Sequence, residues 1–414
     1  MCSEQQCEVI GKKVEMGGQM KKERKDDVVT IFLEGRIDTN NAPRIDEEIQ
    51  GILSENEGVT PVFDASELAY ISSAGLRVLM KARKSVEAPI DVIEVSPEVY
   101  DIFETTGFTD LLNVKKKLKE ISVDGCEFIG AGAYGRVYRI DDETIIKVYN
   151  EGVSQSFVEG ERKSSQDAFK LGIPTAISFH MAKVGNQYGV IYELFNANTI
   201  AQLITADPAR LKDLGVKMAL KLKELHQIEV PVEQGFESRK DILKKWISTL
   251  EGLMNEDEIS KMNALIDSIP DRRTFLHGDY NSKNIMLQDD EILLIDLGDA
   301  AYGHPIFDIA SLILPYIILP NRPQIAEDER RHLLGFDPSL AGQLWGVMCG
   351  AYFGVTSPEE IEAITKQMMP LAQLLIAFQG ITTGRTKPEI MVEHVIRPQL
   401  IPMLGAGVQL KLDF

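Results

Sequence analysis

Asp279, Asn284 and Asp296 carry side-chain oxygens, and their spacing would bring them together at the open end of a short hairpin. In HGDYNSKNIMLQDDEILLIDLGD, apolar segments 285–287 and 293–295 flank a QDDE turn, and we expect them to pair. That pairing would bring Asn284, just before the first strand, beside Asp296, just after the second. Mg²⁺ takes a few oxygen ligands from the protein and completes its octahedron with water and nucleotide phosphates. The pattern therefore predicts a magnesium site at one end of the hairpin.

Asp279 lies five residues before Asn284, in the same predicted loop. A carboxylate at this place could orient a hydroxyl group and accept its proton during phosphoryl transfer, so we predict that Asp279 is a catalytic base. His277 is expected to brace the loop through hydrogen bonds rather than to titrate. Each polar residue taken alone could be a turn former or a cap. Their combined spacing favours a catalytic loop.

A glycine motif precedes this loop by about 150 residues. Gly130, Gly132 and Gly135 form GxGxxG within CEFIGAGAYGRVYRIDDETIIKVYN, which has the pattern of three antiparallel strands. In dinucleotide-binding folds the motif joins a strand to a helix, whereas here it joins two strands and a third strand carries Lys147. Strand, glycine loop, strand and lysine is the order found in protein kinases. We therefore predict that the three glycines and Lys147 bind the phosphates of ATP.

Two further segments complete this predicted nucleotide site. FVEGERKSSQDAFKLGIPT predicts a helix that supplies a carboxylate to Lys147, with Glu161 as the first candidate and Glu159 as its competitor. VIYELFNANTIAQLI then predicts a strand that leads through a hinge into a helix. An adenine ring is expected to dock there, on the backbone from about Glu193 to Phe195.

The N-terminal part of the chain alternates between strand and helix patterns. DVVTIFLEG predicts a strand with Val29, Ile31 and Leu33 on one face, and TPVFDAS predicts a second strand that ends at Asp64. A helix is expected to begin just past SSAG, residues 72–75. About 90 residues follow this alternation, which is typical of an α/β layer.

Composition excludes several classes of protein. A chain of 414 residues with 44% hydrophobic content is long enough for two or three domains, and two are favoured. The net charge of −19 opposes binding to nucleic acid. No apolar stretch is long enough to insert in a membrane and the N-terminus lacks a signal-peptide pattern, so we expect a cytoplasmic protein. The four cysteines form no disulfide framework and are expected to be free thiols.

The segments VVTIFLEGRIDTNNAPRIDEEI, FDASELAYISSAGLRVLMKA and SPEVYDIFETTGF resemble the STAS domain of bacterial anti-sigma factor antagonists, over about residues 20–118. The resemblance implies binding to a protein partner and phosphorylation of the serine two residues before the turn glycine, here Ser73. Family members often have Asp where this chain has Ser72. A phosphate would add about −1.5 to −2 charges at a helix N-terminus and alter a docking surface. The alternative is that both serines simply cap the helix.

Residues from about 121 to 414 resemble the aminoglycoside phosphotransferase and choline kinase branch of the protein-kinase-like fold. The motifs that carry this resemblance are HGDYNSKNIM and IDLGDAAYGHPIFDIA. It implies that Asp279 is the catalytic base, that Asn284 and Asp296 hold Mg²⁺, and that Asp308 braces the site from the following helix. Asn281 and Lys283 depart from the family, which usually has His and Gly at these positions. Both border the acceptor, so substrate choice does not transfer from relatives.

The expected fold is an α/β STAS-like domain with a mixed sheet and helices, followed by an α+β bilobal protein-kinase-like fold. The expected divisions are a flexible N-terminal segment that could include an edge strand, the STAS-like domain, an N-lobe and a helical C-lobe: residues 1–25, 26–120, 121–200 and 201–414.

Three functions fit this pattern. The first is transfer of the γ-phosphoryl group of ATP to a hydroxyl of an unidentified small molecule, favoured because GDAAYGHPIF leaves little room for an activation segment before Asp308. An acidic lobe would suit a cationic acceptor, although ordinary surface acidity explains it equally well. The second is a regulatory protein kinase that phosphorylates Ser73, in the same chain or a partner chain. The third is a nucleotide-binding scaffold without catalysis.

Overall fold

The computed structural model describes residues 20–56, 58–87 and 89–404. The chain divides into two compact units between Lys119 and Glu120. Most of the segment expected to be flexible, residues 1–19, lies outside the described residues, as do Cys2 and Cys7. Cys126 and Cys349 are free thiols. None of the described helices is long and apolar enough to cross a membrane.

The first unit is a sheet whose described strands follow the order β1-β2-β3-β4-β5, with helices in the crossovers. The edge strand β1 runs antiparallel to β2, whereas the other neighbours are parallel. Its elements are β1 (Lys22–Lys25), β2 (Val28–Ile37), α1 (Ala42–Glu55), β3 (Thr60–Ile71), α2 (Ser73–Lys84), β4 (Asp91–Val95), α3 (Pro97–Thr105) and β5 (Asn113–Lys116). Parallel neighbours require crossovers, which the three helices supply.

The core of this unit lies between the sheet and its helices. Val29, Ile31 and Leu33 are at most 1% exposed, as the alternation in DVVTIFLEG predicts. Ile45 and Ile49 of α1 pack into the same cluster. The spacing of one strand face and one helix stripe therefore defines both layers of the core.

Two predicted boundaries in this unit were wrong. Strand β3 does not end at Asp64 but continues to Ile71, because Ala65, Leu68 and Ile71 are also buried. Helix α2 does not begin past SSAG but at Ser73. Ser72 caps it: its hydroxyl accepts the N–H groups of Ala74 at 3.2 Å and Gly75 at 3.4 Å.

The second unit begins with a sheet of order β6-β10-β11-β9-β8-β7 among the described strands, with α4 connecting β9 to β10. Strands β7, β8 and β9 are antiparallel, as predicted from the glycine motif. The elements are β6 (Lys119–Glu120), β7 (Glu127–Ala131), β8 (Gly135–Arg139), β9 (Thr144–Tyr149), α4 (Gln155–Lys170), β10 (Ser178–Val184) and β11 (Gln187–Glu193). Ile121 N donates to Lys183 O at 2.8 Å, and Ile121 and Val123 pack against the apolar cluster that contains Ile146 and Val148.

Helices dominate the rest of the chain, and two small sheets, one of three strands and one of two, position the loops between them. The strands are β12 (Asn198–Thr199), β13 (Thr274–Leu276), β14 (Ile285–Gln288), β15 (Glu291–Leu294) and β16 (Ala301–Gly303). The helices are α5 (Ile200–Ala206), α6 (Leu211–Leu225), α7 (Arg239–Ser248), α8 (Glu256–Asp267), α9 (Ile306–Ser311), α10 (Glu327–Leu334), α11 (Ala341–Phe353), α12 (Pro358–Thr382), α13 (Pro388–Met391) and α14 (Ile401–Leu404), with π-helical turns at Leu314–Ile318 and Val392–Leu400.

Replacing Ile31 by Ala should reduce the free energy of unfolding of the first unit by about 2 to 5 kcal/mol, because it leaves a cavity at a fully buried position. Denaturant titration followed by far-ultraviolet circular dichroism measures this change. Both tryptophans, Trp246 and Trp345, belong to the second unit, so their fluorescence reports separately whether that unit is still folded. Thr30→Ala, one residue away on the partly exposed face, is the matched control. Equal losses for the two variants would contradict the proposed core.

Candidate active site

Lys147 joins three elements of the second unit through two ion pairs. Its Nζ lies 2.5 Å from Glu161 Oε1 on α4 and 3.0 Å from Asp296 Oδ1, which follows β15. The Lys147 and Glu161 side chains are 14% and 5% exposed. Glu159, the competing candidate, pairs instead with Arg162. The structure therefore places Glu161, and not Glu159, on the predicted lysine.

The two carboxylates keep Lys147 charged. Burial opposes the charge of Lys147, but Asp296 and Glu161 outweigh it and hold its pKa above the ordinary value. Burial likewise raises the pKa of Asp296, and the attraction of Lys147 reverses this, so that its pKa lies below the ordinary value. Asp296 is 46% exposed, so part of its carboxylate remains open to a ligand.

The predicted hairpin forms, but its predicted register was wrong by one residue. Ile285 pairs with Leu294 and Met286 with Leu293, because the turn consists of two residues, Asp289 and Asp290. Both have positive φ, 47° and 72°, as a two-residue hairpin turn of this hand requires. Asn284 and Asp296 nevertheless lie beside each other, as predicted. Ile295 N donates to Asn284 O at 3.0 Å, and Asp296 is the next residue.

Asp279 is held by two amides of its own loop. Asn281 Nδ2 lies 3.0 Å from Asp279 Oδ1, and Asn284 Nδ2 lies 2.8 Å from Asp279 Oδ2. Burial and the negative charges of Asp296 and Asp299 raise the pKa of Asp279 above its ordinary value. A carboxylate that is fixed in position and made more basic by its surroundings is suited to accept a proton.

The turn before Asp279 is braced by Asp308, which is 1% exposed on α9. Its two oxygens accept the N–H groups of His277 and Gly278, each at 2.8 Å. Gly278 has φ +86°, and a Cβ there would lie 2.1 Å from Asp299 O, so the turn requires glycine. His277 is buried and its Nδ1 accepts Asp279 N–H at 3.3 Å, which places it in the loop as a structural group.

Two residues of this brace were missed from the sequence. His226 Nε2 lies 3.3 Å from Asp308 Oδ2, and His226 Nδ1 lies 2.7 Å from the Tyr352 hydroxyl. Burial opposes the ionisation of Asp308, but the hydrogen bonds from His226 and the loop dominate and hold its pKa below the ordinary value. His226 is the C-cap of α6 and Tyr352 lies on α11, so no local pattern could have predicted their contact.

The glycines of the motif have different surroundings. A Cβ on Gly135 would lie 2.3 Å from Val148 O, so this glycine is required by the close approach of β8 and β9. Gly130 and Gly132 have no atom within 4 Å of an added Cβ, so their surroundings are open, as the space for a ligand would be. Between them and Gly135, Tyr134 packs against Phe157, with 4.9 Å between the ring centroids.

The predicted hinge has fewer open backbone groups than expected. Glu193 N–H donates to Ile177 O at 3.0 Å, and Leu194 N–H donates to Glu143 O at 2.8 Å. For Phe195, no main-chain oxygen in the described part of the chain accepts its N–H. The N–H group of Phe195 is therefore the one of these three that can still donate a hydrogen bond to a ligand.

The donor set fits a magnesium ion. The hydrogen bonds of the two predicted ligands use Asn284 Nδ2 and Asp296 Oδ1, which leaves Asn284 Oδ1 and Asp296 Oδ2 for a cation. In the described ranges, no three His, Cys, Asp or Glu side chains are grouped to hold a metal ion. An amide and a carboxylate oxygen match the few protein ligands that Mg²⁺ needs when nucleotide phosphates complete its shell.

Ser73, the predicted phosphorylation site, lies in the first unit. It is the first residue of α2 and is exposed, whereas Ser72 is the residue that caps the helix. The hydroxyl of Ser73 is therefore accessible, and Ser73 is not needed to cap the helix.

The lysine with its two carboxylates, the braced catalytic loop and the glycine loop together define a kinase-like phosphotransferase. The family model described as phosphotransferase enzyme family matches residues 125–342, which is more than half of the chain, and the protein belongs to this family. The STAS domain model matches residues 19–121, so an α/β STAS domain precedes the kinase-like fold, as predicted.

Among curated proteins, the chain is similar to the anti-sigma-B factor antagonist of Listeria monocytogenes, with 32% identity over 97 residues, 23% of this chain and 84% of the relative. Among solved structures, it is similar to the gentamicin complex of APH(2″)-IIa, with a TM-score of 0.44, 15% identity, and coverage of 73% of this chain and 97% of the other. A choline/ethanolamine kinase family protein from Mesorhizobium loti gives a TM-score of 0.42, 11% identity, and coverage of 69% and 92%.

Asp308→Asn should reduce the free energy of unfolding by about 3 kcal/mol or more at neutral pH, because an amide nitrogen would face a buried N–H group. The pKa of Asp308 is lower in the folded state, so its contribution is complete above the ordinary aspartate pKa of about 3.9 and is lost as the pH falls further. Denaturant unfolding should show a constant gap from wild type between pH 7 and 5 and a smaller one below about pH 4. Asp290→Asn, at an exposed turn, is the control; a gap that widens in acid would contradict the brace.

Proposed function

We propose that this protein transfers the γ-phosphoryl group of ATP to a hydroxyl group of a small molecule. The observation that carries the proposal is the ion-paired Lys147, joined to Glu161 and Asp296. The Asp279–Asn284 pair of the catalytic loop supports the same function. A scaffold without catalysis would have no need of a carboxylate whose pKa is raised and whose two oxygens are both fixed.

The residues divide the work as follows. Gly130, Gly132 and Gly135 approach the phosphates, and Lys147 neutralises their charge while Glu161 holds it in place. Mg²⁺, when held by Asn284 and Asp296, supplies further neutralisation of the phosphate charge. The backbone at the hinge, with Phe195 as donor beside Glu193, receives the adenine.

Asp279 acts on the acceptor. Its carboxylate orients the acceptor hydroxyl and takes the proton as the acceptor oxygen forms a bond to the γ-phosphorus. The bond between this phosphorus and the oxygen that bridges the β- and γ-phosphates breaks, and ADP leaves. Asp308 and His277 hold the turn that positions Asp279.

A short connection after the metal segment supports a small acceptor. Only residues 297–305 separate Asp296 from α9, and β16 occupies three of them. A protein substrate usually requires a longer segment at this place to receive it. Because ATP is the donor, we place the reaction in the cytoplasm, and we assign the STAS domain to regulation or to binding a protein partner.

One observation favours a second candidate function. Ser73 is exposed at the start of α2 in a domain that is similar to anti-sigma factor antagonists. The phosphotransferase domain could therefore phosphorylate Ser73, in the same chain or in a partner chain, as a regulatory protein serine kinase.

Asp279→Asn should reduce kcat by about 10²- to 10⁴-fold, because the amide cannot accept the proton. The dissociation constant of Mg·ATP, measured by calorimetry, should change little. In wild type the rate should fall with decreasing pH at a value above the ordinary aspartate pKa of about 3.9, since burial and Asp296 raise the pKa of Asp279.

Asp289→Asn is the matched control, because Asp289 is exposed, lies ten residues further on, and has a left-handed backbone that asparagine tolerates. Comparable activity of Asp279→Asn and wild type with an accepted substrate would exclude Asp279 as the base.

Incubation with Mg²⁺ and γ-labelled ATP separates the two candidate functions. The small-molecule function predicts ADP release that depends on an added hydroxyl acceptor and little label on the protein. The protein kinase function predicts label on the chain that Ser73→Ala removes and Ser72→Ala, which affects the cap, retains. Stable label in the Ser73→Ala variant would exclude Ser73 as the acceptor.

A further inference from the structure

The segment that enters the second unit crosses the outer face of the β6–β11 sheet, which is the face that carries Ile146 and Val148. Strand β6 lies beside β10 at one edge of this sheet, and β7 begins at Glu127 at the opposite edge. Ile121 and Val123 lie between these two strands in sequence and pack against the apolar cluster that contains Ile146 and Val148. The crossing segment therefore forms one wall of a depression on this face.

A cleft of about 310 Å³ remains open beside this segment. We call it the outer cleft, and its apolar lining consists of Val123, Val148 and Val184. Sites for small molecules have volumes of roughly 300–1,000 Å³ and combine an apolar lining with a few polar groups that fix the orientation of the ligand. The volume of the outer cleft is at the lower end of this range, which suits a small metabolite.

A cation lies on the β8 side of the outer cleft. Arg136 pairs with Val148 in the register of β8 and β9, so the two side chains share the outer face. Arg136 forms no ion pair and no side-chain hydrogen bond with any residue that the structure describes. A guanidinium presents its N–H groups in a planar fork that matches the two oxygens of a carboxylate. The β8 side of the cleft can therefore bind a carboxylate.

Three acceptors lie on the other side of the cleft, where β9 ends and β11 begins. Gln187 Nε2 donates to Tyr149 O at 2.6 Å, and Asn150 Nδ2 donates to Ala133 O at 3.1 Å. These bonds orient both amides and leave their side-chain oxygens without a donor among the described residues. Glu151 adds a carboxylate that has no ion pair in the same part of the chain. Three acceptors match the three N–H donors of an ammonium group.

The turn that carries Asn150 and Glu151 is fixed by main-chain hydrogen bonds. Asn150 N donates to Tyr134 O at 2.8 Å, and Val153 N donates to Asn150 O at 3.2 Å. Gly152, with φ +85°, allows the chain to reverse its direction there. The acceptors are therefore held in place before a ligand binds, which lowers the entropic cost of binding.

We propose that the outer cleft binds a free α-amino acid with an apolar side chain. Arg136 binds the carboxylate of this ligand, and the acceptors of Asn150, Glu151 and Gln187 bind its ammonium group. The three valines receive its side chain. An α-amino acid carries both charges on one carbon, so it can contact a cation and an anion on opposite sides of one small cleft.

The outer cleft is separate from the candidate active site. Lys147 and Val148 are neighbours on β9, and successive side chains of a strand point to opposite faces of the sheet. Lys147 is joined to Glu161 and Asp296 on its own face. The proposal therefore does not depend on the proposed function, and a ligand in the outer cleft would not displace the nucleotide.

Calorimetric titration of the full chain tests the site directly. Valine, leucine, isoleucine, methionine and phenylalanine are each added, and at least one of them should bind saturably. Three compounds are then compared with the tightest of these ligands: the matching acid without the amino group, the matching amine without the carboxyl group, and glycine. Each should bind at least about tenfold more weakly, because each lacks one of the three contacts.

Arg136→Ala and Glu151→Gln should each weaken the binding of that amino acid by at least about tenfold, because each removes one charged partner. Both residues are exposed, so both variants should fold, and circular dichroism checks this. Arg139→Ala is the matched control. Arg139 lies three residues further along β8, on the opposite face of the strand, so this variant should bind the amino acid as wild type does.

Three results would overturn the proposal. The first is the absence of saturable binding by all five amino acids. The second is binding of the matching acid or amine that equals binding of the amino acid, since the site would then recognise only one charge. The third is amino acid binding that Arg136→Ala and Glu151→Gln both leave intact, because the ligand would then lie elsewhere on the chain.

Discussion

The candidate active site depends on the charge of Lys147. This lysine is nearly buried, and a buried charge is tolerated when it is paired and hydrogen-bonded. Its two partners, Glu161 and Asp296, lie on α4 and just after β15. Lys147 is therefore paired with both carboxylates only when the sheet, the helix and the hairpin are all in place. Loss of either carboxylate leaves a nearly buried cation with only one of its two partners. The charge of one side chain therefore couples the strand and helix of the proposed nucleotide site to the hairpin that follows the proposed catalytic loop.

The same principle explains the catalytic loop at a smaller scale. Asp308 is buried, and three neighbouring donors, two of them main-chain N–H groups, compensate its charge. Asp279 lies two residues beyond the first of these groups, in surroundings that make it more basic. Asp308 is thus stabilised in its ionised form, in which it holds a turn, whereas the ionised form of Asp279 is destabilised, as the proposed role of a base requires.

Much of this site could be predicted because its residues act through local spacing. The glycine motif, the lysine on the third strand and the pair Asp279 and Asn284 each lie within one loop or hairpin. That only one of Glu159 and Glu161 pairs with Lys147 also follows, since helix positions two residues apart do not face the same side. The hairpin register was wrong because QDDE was taken as the turn, although aspartate tolerates the left-handed backbone of a two-residue turn.

What could not be predicted depends on contacts between distant parts of the chain. His226 and Tyr352 are 126 residues apart, and neither carries a local motif. The extension of β3 beyond Asp64 follows from burial against helices rather than from its own sequence. Lys283 was recognised as a departure from a family pattern, but the burial that lowers the pKa of its side chain depends on distant residues such as the turn at Gly335.

The segment that enters the second unit has a role beyond connection. Ile121 is hydrogen-bonded to the end of β10, and Ile121 and Val123 pack against the apolar cluster that contains Ile146 and Val148, the neighbours of Lys147 on β9. The match to the phosphotransferase family begins at residue 125, after both of them. A chain cut at that homology boundary would expose the apolar back of the strand that carries the lysine. The compact second unit is therefore longer than the segment that the family model matches.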